Sequence, residues 1–135
     1  MLSAALTDLF AVFACVFAFT KGGRAERIGA AIILANTLAY IVNETRFQDQ
    51  LANLVIDALT ALAFLGVAVR YASFWQGAVM LLYAMQFSLH AYYFVLERPR
   101  DMLHVIVNDV VFFAILGCLT IGTALAWRRD AVAPA

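Results

Sequence analysis

Apolar residues run along this chain in five blocks, and the polar residues gather between them. The blocks cover Leu2–Thr20, Ile28–Asn43, Leu51–Val69, Ser73–Leu96 and Met102–Trp127. A helix needs roughly 17–25 mainly apolar residues to cross a bilayer, and each block approaches or reaches that length. Strands of a membrane barrel would alternate polar and apolar at every second residue, and these blocks do not. The pattern predicts an all-α integral membrane protein, a bundle of five transmembrane helices. The linkers Lys21–Arg27, Glu44–Gln50, Arg70–Tyr71 and Glu97–Asp101 are too short to hold a soluble domain. Residues 1–130 therefore read as one domain and residues 131–135 as a flexible tail. Pro99 falls in a linker, where it ends a helix instead of kinking one.

Composition agrees with the pattern. The 135 residues are 65% hydrophobic and 13% charged, against roughly 45–50% and about 25% in soluble domains. Disorder needs the opposite balance. Nine Lys and Arg offset nine Asp and Glu, so no basic stripe is left for nucleic acid.

Charge position sets the expected orientation. Lys21, Arg24, Arg27, Arg70, Arg128 and Arg129 follow the odd-numbered blocks, while Arg46, Arg98 and Arg100 follow the even ones. Short loops rich in Lys and Arg stay in the cytoplasm, so the amino terminus is expected outside and the carboxyl terminus inside. The first block lacks a basic stretch before it, which reads as a retained anchor and not as a cleaved signal. One Lys against eight Arg suggests a bacterium of high genomic GC, and hence a multi-pass protein of the inner membrane. Cys15 and Cys118 are both mid-block and widely spaced, which reads as two small core residues.

Ionisable groups within apolar blocks carry the functional signal, because each costs roughly 2.5–3.5 kcal/mol at mid-helix on insertion scales. Asp8, Asp57, His90, His104 and Asp109 are such groups, and Asn36 supplies the second block's polar residue. At 1.5 Å per residue, Asp8, Asp57, His90 and Asp109 lie about 8–11 Å below the outer ends, and Asn36 about 12 Å. Helical spacing then aligns them in stripes. Gln76, Tyr83, Gln86, His90, Tyr93 and Glu97 share one face of the fourth block, and Asp49, Asn53, Asp57 and Thr60 share one of the third. Asp101, His104 and Asn108, with Asp109 beside them, mark the fifth, and Asn36, Tyr40 and Asn43 the second. Such stripes avoid hydrocarbon by facing one another or water, which predicts a polar cavity in the outer half.

Asp8, Asn36, Asp57, His90, Asn108 and Asp109 are the expected ligand- or cation-binding residues, with Asn53, Gln86, His104 and Glu44 in support. Asp57, His90 and Asp109 would be the ligands of a divalent metal, although no HExxH or His pair at i, i+4 accompanies them. A proton relay draws on the same residues without fixed geometry. Haem would use His90 and His104 as axial ligands and is the weaker cofactor reading. A phosphate loop is not formed by Gly22–Gly23, and no nucleophile with its base stands out, since Ser88 and His90 occupy different faces. The expected function is cation or small-ligand binding for transport, sensing or metal-dependent membrane chemistry. The alternative is an accessory subunit or self-assembling pore, in which pairs such as Asp57–Asn53, Asp109–His90 and Asp8–Asn36 act as interhelical glue. Partners beyond the bilayer would be further copies of the chain or a larger membrane complex.

Overall fold

The computed structural model describes residues 4–99 and 101–132; for Ala4, Ala5, Leu6 and Asp8 it describes the backbone alone. Among the described residues the chain is 91% helix and has no strand. Five α-helices follow one another: α1 (Ala4–Lys21), α2 (Arg24–Val42), α3 (Gln50–Tyr71), α4 (Phe74–Val95) and α5 (Met102–Val132), with a π-helical turn at Asn43–Phe47. Four stretches are long and apolar enough to cross a membrane: Arg24–Phe47, Gln50–Tyr71, Phe74–Val95 and Met102–Val132. The apolar stretch described in α1, Leu9–Lys21, is shorter.

Short links make neighbouring helices antiparallel. Each helix packs on the next in sequence, α5 closes the ring on α1, and α2 also touches α5 across the middle. The shared core consists of Ala14 and Ala18 from α1, Ile33 from α2, Phe64 from α3, Tyr83 from α4, and Ile115 and Leu119 from α5. Small residues on α1 let its backbone approach closely. Phe64 stacks on Tyr83 with ring centroids 5.7 Å apart. Large apolar side chains such as Leu9, Val12, Leu59, Leu62, Leu81 and Val110 face outward, as hydrocarbon contact requires.

Several ends differ from those expected. Helix α2 begins at Arg24 and not at Ile28, because the Glu26 carboxylate turns back to accept the Gly23 N–H at 3.0 Å. This is one arm of a capping box, and it shrinks the first linker to Gly22–Gly23. The second linker is largely helical: Asn43–Phe47 forms the π turn, closed by the Gln48 N–H on the Asn43 carbonyl at 2.7 Å. Asp49 then caps α3 by accepting the Leu51 N–H at 2.9 Å. Helix α5 runs past the expected end at Trp127 to Val132, so Ala131 and Val132 are helical, and residues 133–135 lie outside the described residues.

Candidate functional site

Two buried ionisable residues meet near the end of the bundle where α4 finishes and α5 begins. Asp57 sits on α3 and His90 on α4, 2% and 6% exposed. The His90 Nδ1 lies 2.6 Å from the Asp57 Oδ2, a charge-assisted distance. The two side chains form an ion pair when the imidazole is protonated. Nε2, on the far side of the ring, is buried with no hydrogen-bond partner. When Nδ1 carries the shared proton, Nε2 presents a lone pair; a further proton turns it into a donor and takes the pair from net charge −1 to zero.

Rings continue from this pair towards the helix ends. His104 of α5 packs against His90 with centroids 5.1 Å apart, and Tyr93 meets His104 edge-on at 4.8 Å. The Tyr93 hydroxyl donates to the Asp101 carboxylate, which also accepts the His104 backbone N–H. These two donors hold the Asp101 carboxyl below its ordinary range, the tyrosine hydroxyl having the larger effect. Gln50, Asn53, His90, Tyr93 and His104 line a cavity of about 10 Å³, room for one water molecule.

Asn53 is fully engaged elsewhere. Its amide oxygen accepts from the Asn43 amide at 2.6 Å, and its amide nitrogen donates to the Glu44 carboxylate at 3.0 Å. Asn43 donates as well to the Asp49 carbonyl at 2.8 Å. The π turn thus aims Asn43 and Glu44 together at the start of α3.

A second cavity, of about 200 Å³, opens between α1, α2, α4 and α5 and is lined by Asn36, Thr37, Tyr40, Gln86, Asn108 and Phe112 among others. Asn36 donates to the Thr60 hydroxyl at 3.0 Å and accepts from Tyr83 at 3.4 Å. Gln86 donates to Asn108 at 2.7 Å, and its buried amide oxygen has no partner.

The expected site residues therefore divide. Asp57, His90 and His104 come together, with Asn53 on the same cavity and Glu44 on Asn53. Asn36, Gln86 and Asn108 gather around the second cavity. Asp109 is exposed: α5 turns His104 and Asn108 inward at i, i+4, and Asp109, roughly 100° further round, faces out. The side chain of Asp8 lies outside the described residues. Consequently the pairs are Asp57–His90, Asn36–Thr60 and Asn53–Asn43, in place of Asp109–His90 and Asp57–Asn53, while the expected Asp8–Asn36 pair rests on a side chain outside the described residues. No group of three or more His, Cys, Asp or Glu side chains among the described residues is placed to hold a metal ion, so Asp57, His90 and Asp109 do not form a ligand set. His90 and His104 touch ring to ring, which leaves no gap between them for a porphyrin plane.

At the opposite end lies a polar cluster that the block pattern hides. Glu26, 4% exposed, accepts the Trp75 indole N–H at 3.2 Å on its second oxygen. Gln76 donates to the Ala25 carbonyl at 3.0 Å. The spacing Gly23-x-x-Glu26 was the available signal, since it marks a helix start and so puts Glu26 on an inward-facing first turn. Comparison with protein-family models, curated proteins and solved structures finds no match to this chain.

Proposed function

We propose that this chain is a multi-pass inner-membrane protein that binds and releases a proton at the Asp57–His90 pair, for proton-coupled transport or pH sensing. The carrying observation is the buried pair itself, at 2.6 Å, with the second imidazole nitrogen unpartnered beside a water-sized cavity. Buried ionisable groups inside a spanning bundle are expensive and mark ion or proton paths. Of the cations weighed, a proton asks least of the protein, since two groups suffice where a divalent metal needs three or more. Tyr93, His104 and Asp101 supply hydrogen-bonding groups between the pair and the surface. Towards the other end Phe64, Ile115 and Leu119 fill the interior, so a transport role calls for an oligomer or a larger complex.

The second reading is a structural subunit, favoured by one specific observation. The side-chain bonds Asn36–Thr60, Asp57–His90 and Gln86–Asn108 each tie one helix to the next, α2 to α3, α3 to α4 and α4 to α5, as interhelical glue would.

Infrared difference spectroscopy separates the two. In lipid nanodiscs, stepping the pH across the histidine range should produce a protonation change in the carboxyl and imidazole bands that Asp57→Asn and His90→Gln each abolish. Bands that stay constant in the wild type across that range would leave only the structural reading.

A further inference from the structure

A cavity far from the histidines has no part in the proton reading. It holds about 610 Å³ where α2 starts, α3 ends, α4 starts and the last turns of α5 pass. Its floor is Trp75, which is wedged so closely that a Cβ on Gly29 or Gly122 would stand 2.7 Å from the indole ring. Arg24 and Arg129 line it from two different helices, together with Ser73. Neither guanidinium meets a carboxylate among the described residues. Glu26 also borders the cavity, but each of its oxygens already accepts a hydrogen bond, from the Gly23 N–H and from Trp75. The flank that continues along α5 is apolar, with Ile121 and Leu125 exposed, and Phe74 at the first turn of α4 is 94% exposed beside the groove.

We infer that this groove binds one anionic phospholipid, with its phosphate held between Arg24 and Arg129 and an acyl chain laid along Leu125 and Ile121. The cationic part sits at the helix ends, where headgroups lie, and the apolar part leads towards the bundle's middle, where hydrocarbon lies. That order of charge and grease matches an amphiphile, and a free anion would use only half of it. Guanidinium forks suit phosphate oxygens, and basic pockets between spanning helices bind anionic headgroups.

Native mass spectrometry of the detergent-purified chain tests this, with phosphatidylglycerol, phosphatidylcholine and inorganic phosphate as probes. The wild type should retain one phosphatidylglycerol in preference to phosphatidylcholine. The double variant R24Q/R129Q should lose roughly tenfold or more of that affinity. R24K/R129K, which keeps the charge, should restore most of it, and R128Q, which removes an arginine outside the groove, should bind as the wild type does. Both arginines are exposed, so the core survives their replacement, and the lysine pair keeps the test open if the glutamine pair folds poorly. Equal losses in R128Q and R24Q/R129Q would reduce the site to diffuse attraction and overturn it. Inorganic phosphate displacing the lipid at equal concentration would also overturn it, because the apolar flank would then contribute nothing.

Discussion

His104 lies against His90 with its ring tilted by 34° and the centroids 5.1 Å apart, so a residue of α5 closes over the pair that joins α3 to α4. Its own ring is held from the other side by Tyr93. His104→Ala therefore enlarges the existing cavity at a buried position. The expected loss is about 2–4 kcal/mol, in the range of large-to-small core substitutions, read from unfolding in mixed micelles. His104→Phe keeps the ring contacts and should recover at least half of that loss.

Asp57 carries a different expectation. Asp57→Ala removes the partner of the buried His90 Nδ1 and should destabilise the chain by about 1–3 kcal/mol. Asp57→Asn retains a hydrogen bond and should cost less. An unchanged unfolding midpoint for Asp57→Ala would show that the 2.6 Å contact contributes nothing to stability.

Two glycines of α5 should respond in opposite ways. A methyl on Gly122 would meet three atoms of the rigid Trp75 ring at 2.7 Å, whereas at Gly117 nothing stands within 4 Å. Gly122→Ala should lose about 1–3 kcal/mol through overpacking. Gly117→Ala should be neutral or gain up to about 1 kcal/mol from helix propensity. Thermal unfolding of the two variants side by side decides the matter.

Acid should loosen the start of α5. The Tyr93 hydroxyl and then the His104 N–H hold the Asp101 carboxyl below its ordinary value of 3.8. A carboxyl depressed in the folded state binds fewer protons there than in the unfolded chain, so its stabilising contribution is present above that ordinary value. It fades as the pH falls from there through the folded-state value. Hydrogen exchange at the first turn of α5 should accelerate over that acidic window, and Asp101→Asn should remove the pH dependence.

The direction of insertion follows from arginine and lysine placement alone, and it is checked by fusion. A reporter joined after Arg129 should behave as cytoplasmic, and one joined at Gln48 as exported. The reverse pattern would invert the chain and put the Asp57–His90 pair in the cytoplasmic half.

Much of the bundle was legible because hydrocarbon imposes a simple rule on helix length and on the direction of polar faces. The stripe Gln76, Tyr83, Gln86, His90 and Tyr93 is buried along α4, and Asn53, Asp57 and Thr60 are buried along α3. Partners were less legible. Depth counting put Asp57, His90 and Asp109 in one slab, but depth carries no angular information, and adjacent residues Asn108 and Asp109 cannot both face inward. The inward pull of His104 decided between them. Glu26 was hidden for another reason: a run such as Lys21–Arg27 looks like solvent-facing linker until the Gly23–Glu26 contact shows that a helix starts inside it. The π turn had no hydropathy signature, because one extra residue per turn leaves the apolar count unchanged while rotating Asn43 onto Asn53.

The seat of Trp75 makes the chain its own optical gauge. The protein has two tryptophans, and they live in different surroundings. Trp127 is half open, with the Lys21 ammonium 5.3 Å over its ring. Trp75 is pressed against Gly29 and Gly122, meets Phe64 edge-on at 6.4 Å and hands its indole proton to Glu26. With Trp127 replaced by Phe, all indole emission comes from the point where α2, α4 and α5 converge. Any movement that parts those helices wets the ring and reddens its light, so opening at that end of the bundle becomes readable from the chain's own emission.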